Sequence, residues 1–177
     1  MKKNAQMATV LCVDDEEAIR EAMSELLENC GYRVLSADGY DEAVAYMKGS
    51  QEIEAVICDL KMPGKSGLDV LRHVSGQEIK IPFIFLTGYG TLESCQEAVR
   101  EGAFDYILKP IDSKDKVLLP LGHAVEKYRL EKENRELQED IIKLAEEHEK
   151  ILDSLLEDRE LKDKVQARIS SILDKWK

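Results

Sequence analysis

Short apolar runs alternate with amphipathic stretches along residues 1–122, and this alternation constrains the fold more than any other feature. The run Ala55-Val56-Ile57-Cys58 is apolar at consecutive positions, as in a parallel strand that helices cover on both faces. The predicted strands are Thr9–Val13, Arg33–Ala37, Ala55–Asp59, Pro82–Leu86 and Asp105–Leu108, and the predicted helices lie near Glu17–Asn29, Asp41–Lys48, Leu68–Val74 and Leu92–Glu101. With a fifth helix from the remaining chain, this order predicts an open, doubly wound α/β sheet, which binds ligands beyond the carboxyl ends of its strands.

The residues that break helices are confined to the same part of the chain. All 10 glycines lie at or before Gly122, and all 4 prolines lie at or before Pro120. From Ala124 to Lys177 the chain has 12 Lys+Arg and 15 Asp+Glu, with apolar residues at spacings of three and four. We therefore predict a globular domain over residues 1–122 and a helical tail over residues 123–177.

The tail carries a heptad pattern from Leu130 onward. The d-like positions are Leu130, Leu137, Leu144, Ile151, Asp158, Val165 and Ile172, and the a-like positions are Asn134, Ile141, His148, Leu155, Lys162, Ile169 and Trp176. Most of these residues are apolar, and an Asn at an a position fixes the register of parallel dimers, so we predict a parallel homodimer through residues 127–177. Asp158 and Lys162 interrupt the seam, and they either pair along the helix or mark a bend into a hairpin.

Charge and apolar content exclude several classes of function. The 25 Lys+Arg and 36 Asp+Glu give a formal net charge of −11, which argues against nucleic acid as a partner. No window resembles a membrane span or a signal peptide, so we expect a soluble, cytoplasmic protein. The cysteines form no metal-binding pattern, and we expect reduced, mostly buried thiols at Cys12, Cys30, Cys58 and Cys95.

Polar side chains collect where the predicted strands end. Asp14 and Asp15 follow the first strand, Asp59 closes the third, Thr87 follows the fourth and Lys109 follows the fifth. Carboxylates forced together repel one another, and oxygen ligands with open water positions suit Mg²⁺. Beside such an ion, Asp59 can act as a nucleophile toward a phosphoryl group while Lys109 offsets charge and Thr87 donates a hydrogen bond.

In this order the motifs resemble the bacterial two-component response-regulator receiver domain over about residues 8–120. The motifs are Val13-Asp14-Asp15-Glu16, Asp59-Leu60-Lys61-Met62-Pro63 with Gly67, Thr87-Gly88 and Lys109-Pro110. The resemblance implies a flavodoxin-like sheet of strand order 2-1-3-4-5. It also implies phosphorylation of Asp59 by a histidine kinase or phosphotransfer protein. Met62-Pro63 and Gly67 are expected to serve backbone geometry, since Gly permits turns and Pro fixes φ.

The same resemblance assigns roles to the other residues. Mg²⁺ is expected on Asp15, Asp59 and the backbone carbonyl of Lys61, with Asp14 acting largely through metal-bound water. Thr87 and Tyr106 stand where the family has its switch pair, in which a hydroxyl swings toward the phosphoryl group and an aromatic ring turns inward.

The sequence departs from the family pattern at Pro120 and Gly122, which fall where its last helix normally runs on. Proline inside a helix removes a hydrogen bond and clashes with the preceding turn, so we expect either a kink in the helix or a late helix start. This irregularity is either a hinge between the phosphorylation site and the tail or a tolerated bend with no signalling role.

His148 resembles the phosphorylated histidine of sensor-kinase stems only partly, because Leu152 replaces their Asn or Thr, and we interpret it as a polar seam residue.

The predicted function is a phosphorylation-controlled response regulator. The only reactions we expect it to carry out are phosphorylation and dephosphorylation of its own Asp59. Its output is expected to be protein–protein contact through the receiver face and the tail, without a DNA-binding domain. The opening of the tail also resembles the linker of bacterial enhancer-binding activators, so one alternative is a fragment of such a protein. Another is a phosphatase or phosphotransfer protein acting through the tail. A haloacid-dehalogenase-type phosphatase needs an Asp-x-Asp signature, and a flavin module needs a phosphate loop, neither of which Asp14-Asp15-Glu16 supplies.

Overall fold

A computed structural model describes residues 7–49, 52–74, 81–88, 92–155 and 159–173. Its strands are β1 (Thr9–Val13), β2 (Arg33–Ala37), β3 (Ala55–Asp59), β4 (Phe83–Thr87) and β5 (Asp105–Leu108). Its helices are α1 (Glu17–Asn29), α2 (Tyr40–Lys48), α3 (Gly67–Val74), α4 (Leu92–Arg100), α5 (Asp115–Leu155) and α6 (Arg159–Leu173). The predicted strands and helices are confirmed to within one residue at each end.

The five strands form one parallel sheet of order β2-β1-β3-β4-β5, as the resemblance implied. Every residue of β1, β3 and β4 is buried, whereas β5 exposes three of its four residues. The register pairs Val13 with Cys58 and Thr87 with Leu108. Because the strands are parallel, the residues that follow them meet at one edge of the sheet.

Helices cover both faces of the sheet. On one face Val56, Cys58 and Phe85 pack with buried residues of α2 and α3 and with Ala98 of α4. On the other face Cys12 and Ile57 pack with α1 and with the first turns of α5. This two-sided core confirms the doubly wound α/β architecture and explains why the central strands are apolar at consecutive positions.

Helix α5 begins at Asp115 and includes Pro120. Its early turns are buried through Val117, Leu121, Ala124 and Tyr128. The chain divides into two compact units, Met1–Arg129 and Leu130–Lys177. The predicted kink at Pro120 and the predicted domain boundary between residues 122 and 123 stay predictions.

In the second unit, the predicted d positions of the first heptads are exposed apolar residues. Leu130, Leu137, Leu144 and Ile151 are 59%, 58%, 56% and 51% exposed. Asp158 and Trp176 lie outside the described residues, between α5 and α6 and after α6 respectively. No helix in the described part of the chain combines the length and the apolar content of a membrane span.

Candidate functional site

The site is built from Asp14, which follows β1, from Asp59, the last residue of β3, and from Lys109, which follows β5. Asp14 and Asp59 are buried, with 3% and 7% of their surfaces exposed. The ammonium Nζ of Lys109 lies 3.0 Å from Asp14 Oδ2 and 2.8 Å from Asp59 Oδ1, and it donates a hydrogen bond to each. One lysine therefore joins two carboxylates that the sheet places side by side.

Backbone hydrogen bonds hold the two carboxylates in place. The Lys61 N–H donates to Asp59 Oδ2 at 2.8 Å, and the Glu16 N–H donates to Asp14 Oδ1 at 2.9 Å. Each carboxylate thus has one oxygen on a backbone amide and the other on Lys109. The Lys109 N–H also donates to the Thr87 carbonyl at 2.9 Å, which ties the end of β5 to the end of β4.

The charges of this cluster do not cancel. Burial lowers the pKa of Lys109, but the hydrogen bonds and charges of Asp59 and Asp14 outweigh that effect, and the pKa is raised. Lys109 is consequently a persistent cation, yet one ammonium faces two carboxylates. The excess negative charge favours a further cation at the site.

Thr87 brings an unsatisfied hydroxyl to the same edge of the sheet. The residue is 3% exposed, and its Oγ1 is buried without a hydrogen-bond partner within the described part of the chain. Buried hydroxyl groups normally have a partner, so this donor suits an incoming acceptor oxygen. Tyr106, on the neighbouring strand β5, is 43% exposed, and its register partner is Phe85.

Glycine is required at position 67 because there is no room for a side chain, and not because of its backbone conformation. A Cβ atom there would lie 2.3 Å from the Asp59 carbonyl oxygen, 2.9 Å from Cys58 Sγ and 3.0 Å from the Phe85 ring. Its φ is not positive, whereas Gly64, in the preceding loop, has a φ of +78°. The expectation that Gly67 serves a turn is therefore refined: its missing side chain lets α3 start directly against the backbone of Asp59.

The donor set of the site suits Mg²⁺. Asp15 is exposed beside the buried Asp14, and Lys61 is exposed beside Asp59. Among the described residues, no group of three or more His, Cys, Asp or Glu side chains is placed to hold a metal ion. Mg²⁺ usually keeps several waters and binds through one or two carboxylates, so the pair Asp14 and Asp59, with its excess charge, meets that requirement.

Three of the predicted residues, Asp14, Asp59 and Lys109, are thus in direct contact, and Thr87 is tied to Lys109 through the backbone. Asp15 and Tyr106 make no side-chain hydrogen bond to this cluster among the contacts described. Arg20 was not predicted as a site residue, yet its Nη1 donates to the Asp14 carbonyl at 2.7 Å. No signal pointed to this arginine, because its contact depends on how the loop after β1 leads into the first turn of α1.

Comparison with known proteins agrees with this geometry. The profile of the response regulator receiver domain family matches residues 10–118. The C4-dicarboxylate transport transcriptional regulatory protein DctD of Rhizobium meliloti (strain 1021) is 35% identical over 130 residues, which are 73% of this chain and 28% of that protein. A putative NtrX-like response regulator of Rickettsia bellii (strain RML369-C) is 33% identical over 135 residues, which are 75% of this chain and 28% of that protein. The chain therefore spans less than a third of the length of these relatives.

Solved structures show the same similarity. A response regulator receiver domain protein of Clostridium thermocellum has a TM-score of 0.65 and 34% identity, covering 70% of this chain and 98% of that one. NtrX of Brucella abortus has a TM-score of 0.68 and 30% identity, covering 75% of this chain and 30% of that one.

Proposed function

Because this chain belongs to the response regulator receiver domain family, we propose that Asp59 accepts a phosphoryl group from a histidine kinase or phosphotransfer protein in the cytoplasm. The observation that carries the proposal is the bridge from Lys109 Nζ to Asp59 Oδ1 and Asp14 Oδ2. It keeps an ammonium beside the nucleophile, where negative charge develops during transfer.

In the proposed reaction a carboxylate oxygen of Asp59 attacks the phosphorus of the donor's phosphohistidine. The new O–P bond forms as the P–N bond breaks, and the electron pair leaves with the imidazole nitrogen of the donor. Lys109 stabilises charge on the transferring oxygens, and the backbone N–H of Lys61 orients the carboxylate. The proposal includes no reaction beyond phosphorylation and dephosphorylation of Asp59.

The residues that would hold Mg²⁺ are Asp14, Asp15, Asp59 and the Lys61 carbonyl. When bound there, the ion would supply charge neutralisation for the phosphoryl oxygens. Support comes from the excess negative charge at Asp14 and Asp59, which Lys109 offsets only in part.

After transfer, Thr87 is the proposed reporter of the phosphorylated state. Its buried hydroxyl, which has no hydrogen-bond partner among the described residues, gains an acceptor when phosphoryl oxygens enter the site, and that gain biases a pre-existing equilibrium. Tyr106 is its proposed switch partner. Because 43% of Tyr106 is exposed, an inward turn of the ring would bury apolar surface and change the face presented by β5.

The tail is proposed to carry the output as a parallel homodimer. Leu130, Leu137, Leu144 and Ile151 recur every seven residues and are all more than half exposed in the single chain. Such a stripe is stabilised when a second helix covers it, as in a coiled coil. The signal would then pass by protein–protein contact through the receiver face and this dimer to a downstream protein.

A second candidate output is transcriptional control. DctD of Rhizobium meliloti is named as a transcriptional regulatory protein, and this chain matches only 28% of its length. In that case the chain would act as the receiver part of a longer activator. The mass of the protein isolated from the cells that express it distinguishes the two, since a larger mass supports the longer activator.

Beryllofluoride mimics the phosphoryl group of an acyl phosphate and tests the proposed switch. Light scattering of the full chain with Mg²⁺, with and without beryllofluoride, is compared between the wild type and Asp59→Asn. A change of mass or hydrodynamic size in the wild type alone supports control of assembly by Asp59. A dimer under every condition assigns the output to the receiver face instead, and a monomer under every condition contradicts the proposed tail dimer.

A further inference from the structure

One arginine connects helices α3 and α4. Arg72 Nη2 donates to Glu101 Oε1 at 2.9 Å and to Glu97 Oε1 at 3.4 Å. Glu97 lies in α4, and Glu101 directly follows the last residue of that helix, one turn further on. A single guanidinium on α3 therefore contacts two carboxylates at the end of α4.

The guanidinium of Arg72 is also held from its own helix. Its Nη1 lies 3.5 Å from Asp69 Oδ1. The other oxygen of that carboxylate accepts hydrogen bonds of 2.9 Å from the N–H and the hydroxyl of Ser66, which precedes α3. The hydrogen bond from Arg72 lowers the pKa of Glu101, so this carboxylate is ionised at neutral pH. The arginine thus links the start of α3 to the end of α4 through charged groups.

The described part of α4 has few other contacts with the core. Among its described side chains, Ala98 is the only buried one, and it packs with residues of α3 and the sheet. One small side chain buries little apolar area. The contacts to Arg72 therefore contribute more to the attachment of this end of α4 than an exposed ion pair usually contributes.

The same helix follows Thr87 in the chain. Thr87 ends β4, and α4 begins five residues later at Leu92. The buried Oγ1 of Thr87 has no hydrogen-bond partner among the described residues, so an incoming phosphoryl oxygen would draw it out of its present position. Such a movement acts on the segment that leads into α4, and the contacts of Arg72 at the far end of the helix oppose a displacement.

We propose that Arg72 tethers α4 to α3 and thereby stabilises the unphosphorylated arrangement of the chain. The inference rests on the proposed function, because phosphorylation of Asp59 supplies the change that the tether opposes. Loss of the arginine removes an attraction, and it also leaves the carboxylates of Asp69, Glu97 and Glu101 to repel one another without a shared cation. The tether therefore sets how readily the chain reaches its phosphorylated arrangement.

A beryllofluoride titration of the full chain with Mg²⁺, followed by amide chemical shifts, tests the tether. Arg72→Gln should lower the half-saturating beryllofluoride concentration about two- to fivefold, because the arrangement that binds it is more populated from the start. Before beryllofluoride is added, amides of residues 96–103 should already be shifted part of the way toward their bound positions. Raising the salt concentration should reduce the difference between the variant and the wild type.

Charge reversal and a matched arginine supply the controls. Arg72→Glu should shift the midpoint further than Arg72→Gln, and the addition of Glu101→Arg should reverse part of that shift, which loss of packing alone would not allow. Arg135→Gln removes an arginine whose ion pair with Glu139, at 3.8 Å, lies within one helix, and it should leave the midpoint unchanged.

An unchanged midpoint in Arg72→Gln, an equal change in Arg135→Gln, or no reversal by Glu101→Arg would each overturn the tether. A wild type that does not bind beryllofluoride would instead contradict the role of Asp59. In that case amide hydrogen exchange in α4 decides: it should be about two- to fivefold faster in Arg72→Gln than in the wild type, and equal exchange would overturn the tether.

Discussion

At the scale of single residues, the site depends on Lys109. Its side chain is 20% exposed, and its two partners, Asp14 and Asp59, have side chains only 4% and 10% exposed. Removal of one partner from such a buried cluster costs more than the pairing itself contributes, because the remaining charges stay desolvated and repel each other.

Lys109→Gln should therefore destabilise the fold by about 1–2 kcal/mol, measured as the free energy of unfolding in urea. Added Mg²⁺ should restore part of the lost stability, since it replaces the missing positive charge. The control is Lys48→Gln, on the exposed end of α2. A variant as stable as the wild type without Mg²⁺ would contradict this account of the charges.

The pH dependence of the same contribution follows from the raised pKa of Lys109. Because the folded pKa lies above the ordinary value of 10.5, the ammonium contributes its full stability below pH 10.5. The contribution is lost as the pH rises through the raised pKa. The stability difference between the wild type and Lys109→Gln should accordingly be constant near neutral pH and shrink in strongly alkaline solution.

Gly67→Ala tests the close approach of α3 to Asp59. The added methyl group would meet the Asp59 carbonyl oxygen at 2.3 Å, and relief of that contact must move the backbone of the phosphoacceptor. We expect a loss of about 1–3 kcal/mol in stability and slower phosphorylation by acetyl phosphate. Gly39→Ala is the control, because a Cβ there meets nothing within 4 Å and its φ of 172° is ordinary extended backbone. Equal phosphorylation rates in the two variants would show that the contact does not position Asp59.

At the scale of elements, local patterns were sufficient to predict the sheet but not the contacts between distant segments. The consecutive apolar residues of β3 and the breakers around each helix identify these elements, because the signals lie within the elements themselves. Strand β4 begins at Phe83 rather than Pro82, since proline has no N–H to donate to a neighbouring strand. The prediction of mostly buried thiols is confirmed in part. Cys12 and Cys58 are buried, and burial raises the pKa of Cys12 to about 12, but Cys30 is exposed.

The candidate site was predictable because the carboxyl ends of parallel strands always meet, which brings Asp14, Asp59 and Lys109 together. The ion pair between Glu54 and Arg129, in contrast, could not be predicted from the sequence. Arg129 Nε and Nη2 both donate to the Glu54 carboxylate, across 75 residues of sequence. Neither residue stands out in its own segment, so only the packing of α5 against the sheet reveals the pair.

Glu54→Gln tests how much the ion pair between Glu54 and Arg129 contributes to the stability of the fold. Glu54 is 8% exposed and directly precedes β3, so its bonds to Arg129 hold α5 at the base of the strand that carries Asp59. We expect a loss of about 1–3 kcal/mol, and a double-mutant cycle with Arg129→Gln should give a favourable interaction energy between the two residues. Additive effects in the cycle would contradict a direct interaction.

At the scale of the whole molecule, the exposed stripe of the tail determines the assembly we expect. Leu137 and Leu144 lie in the middle of that stripe and are 58% and 56% exposed. Leu137→Asn with Leu144→Asn should convert the predicted dimer to a monomer in sedimentation experiments, because polar residues at these positions remove the apolar seam. Glu146→Gln, outside the seam, should leave the dimer intact. A dimer that survives both leucine substitutions would place the interface elsewhere.

Intact-mass spectrometry after incubation with acetyl phosphate and Mg²⁺ shows whether Asp59 receives a phosphoryl group. We expect a mass increase of one phosphoryl group in the wild type and none in Asp59→Asn, with the added group mapped to the peptide that contains Asp59. The same increase in Asp59→Asn, or an unmodified wild type under these conditions, would overturn the assignment of Asp59 as the phosphoacceptor.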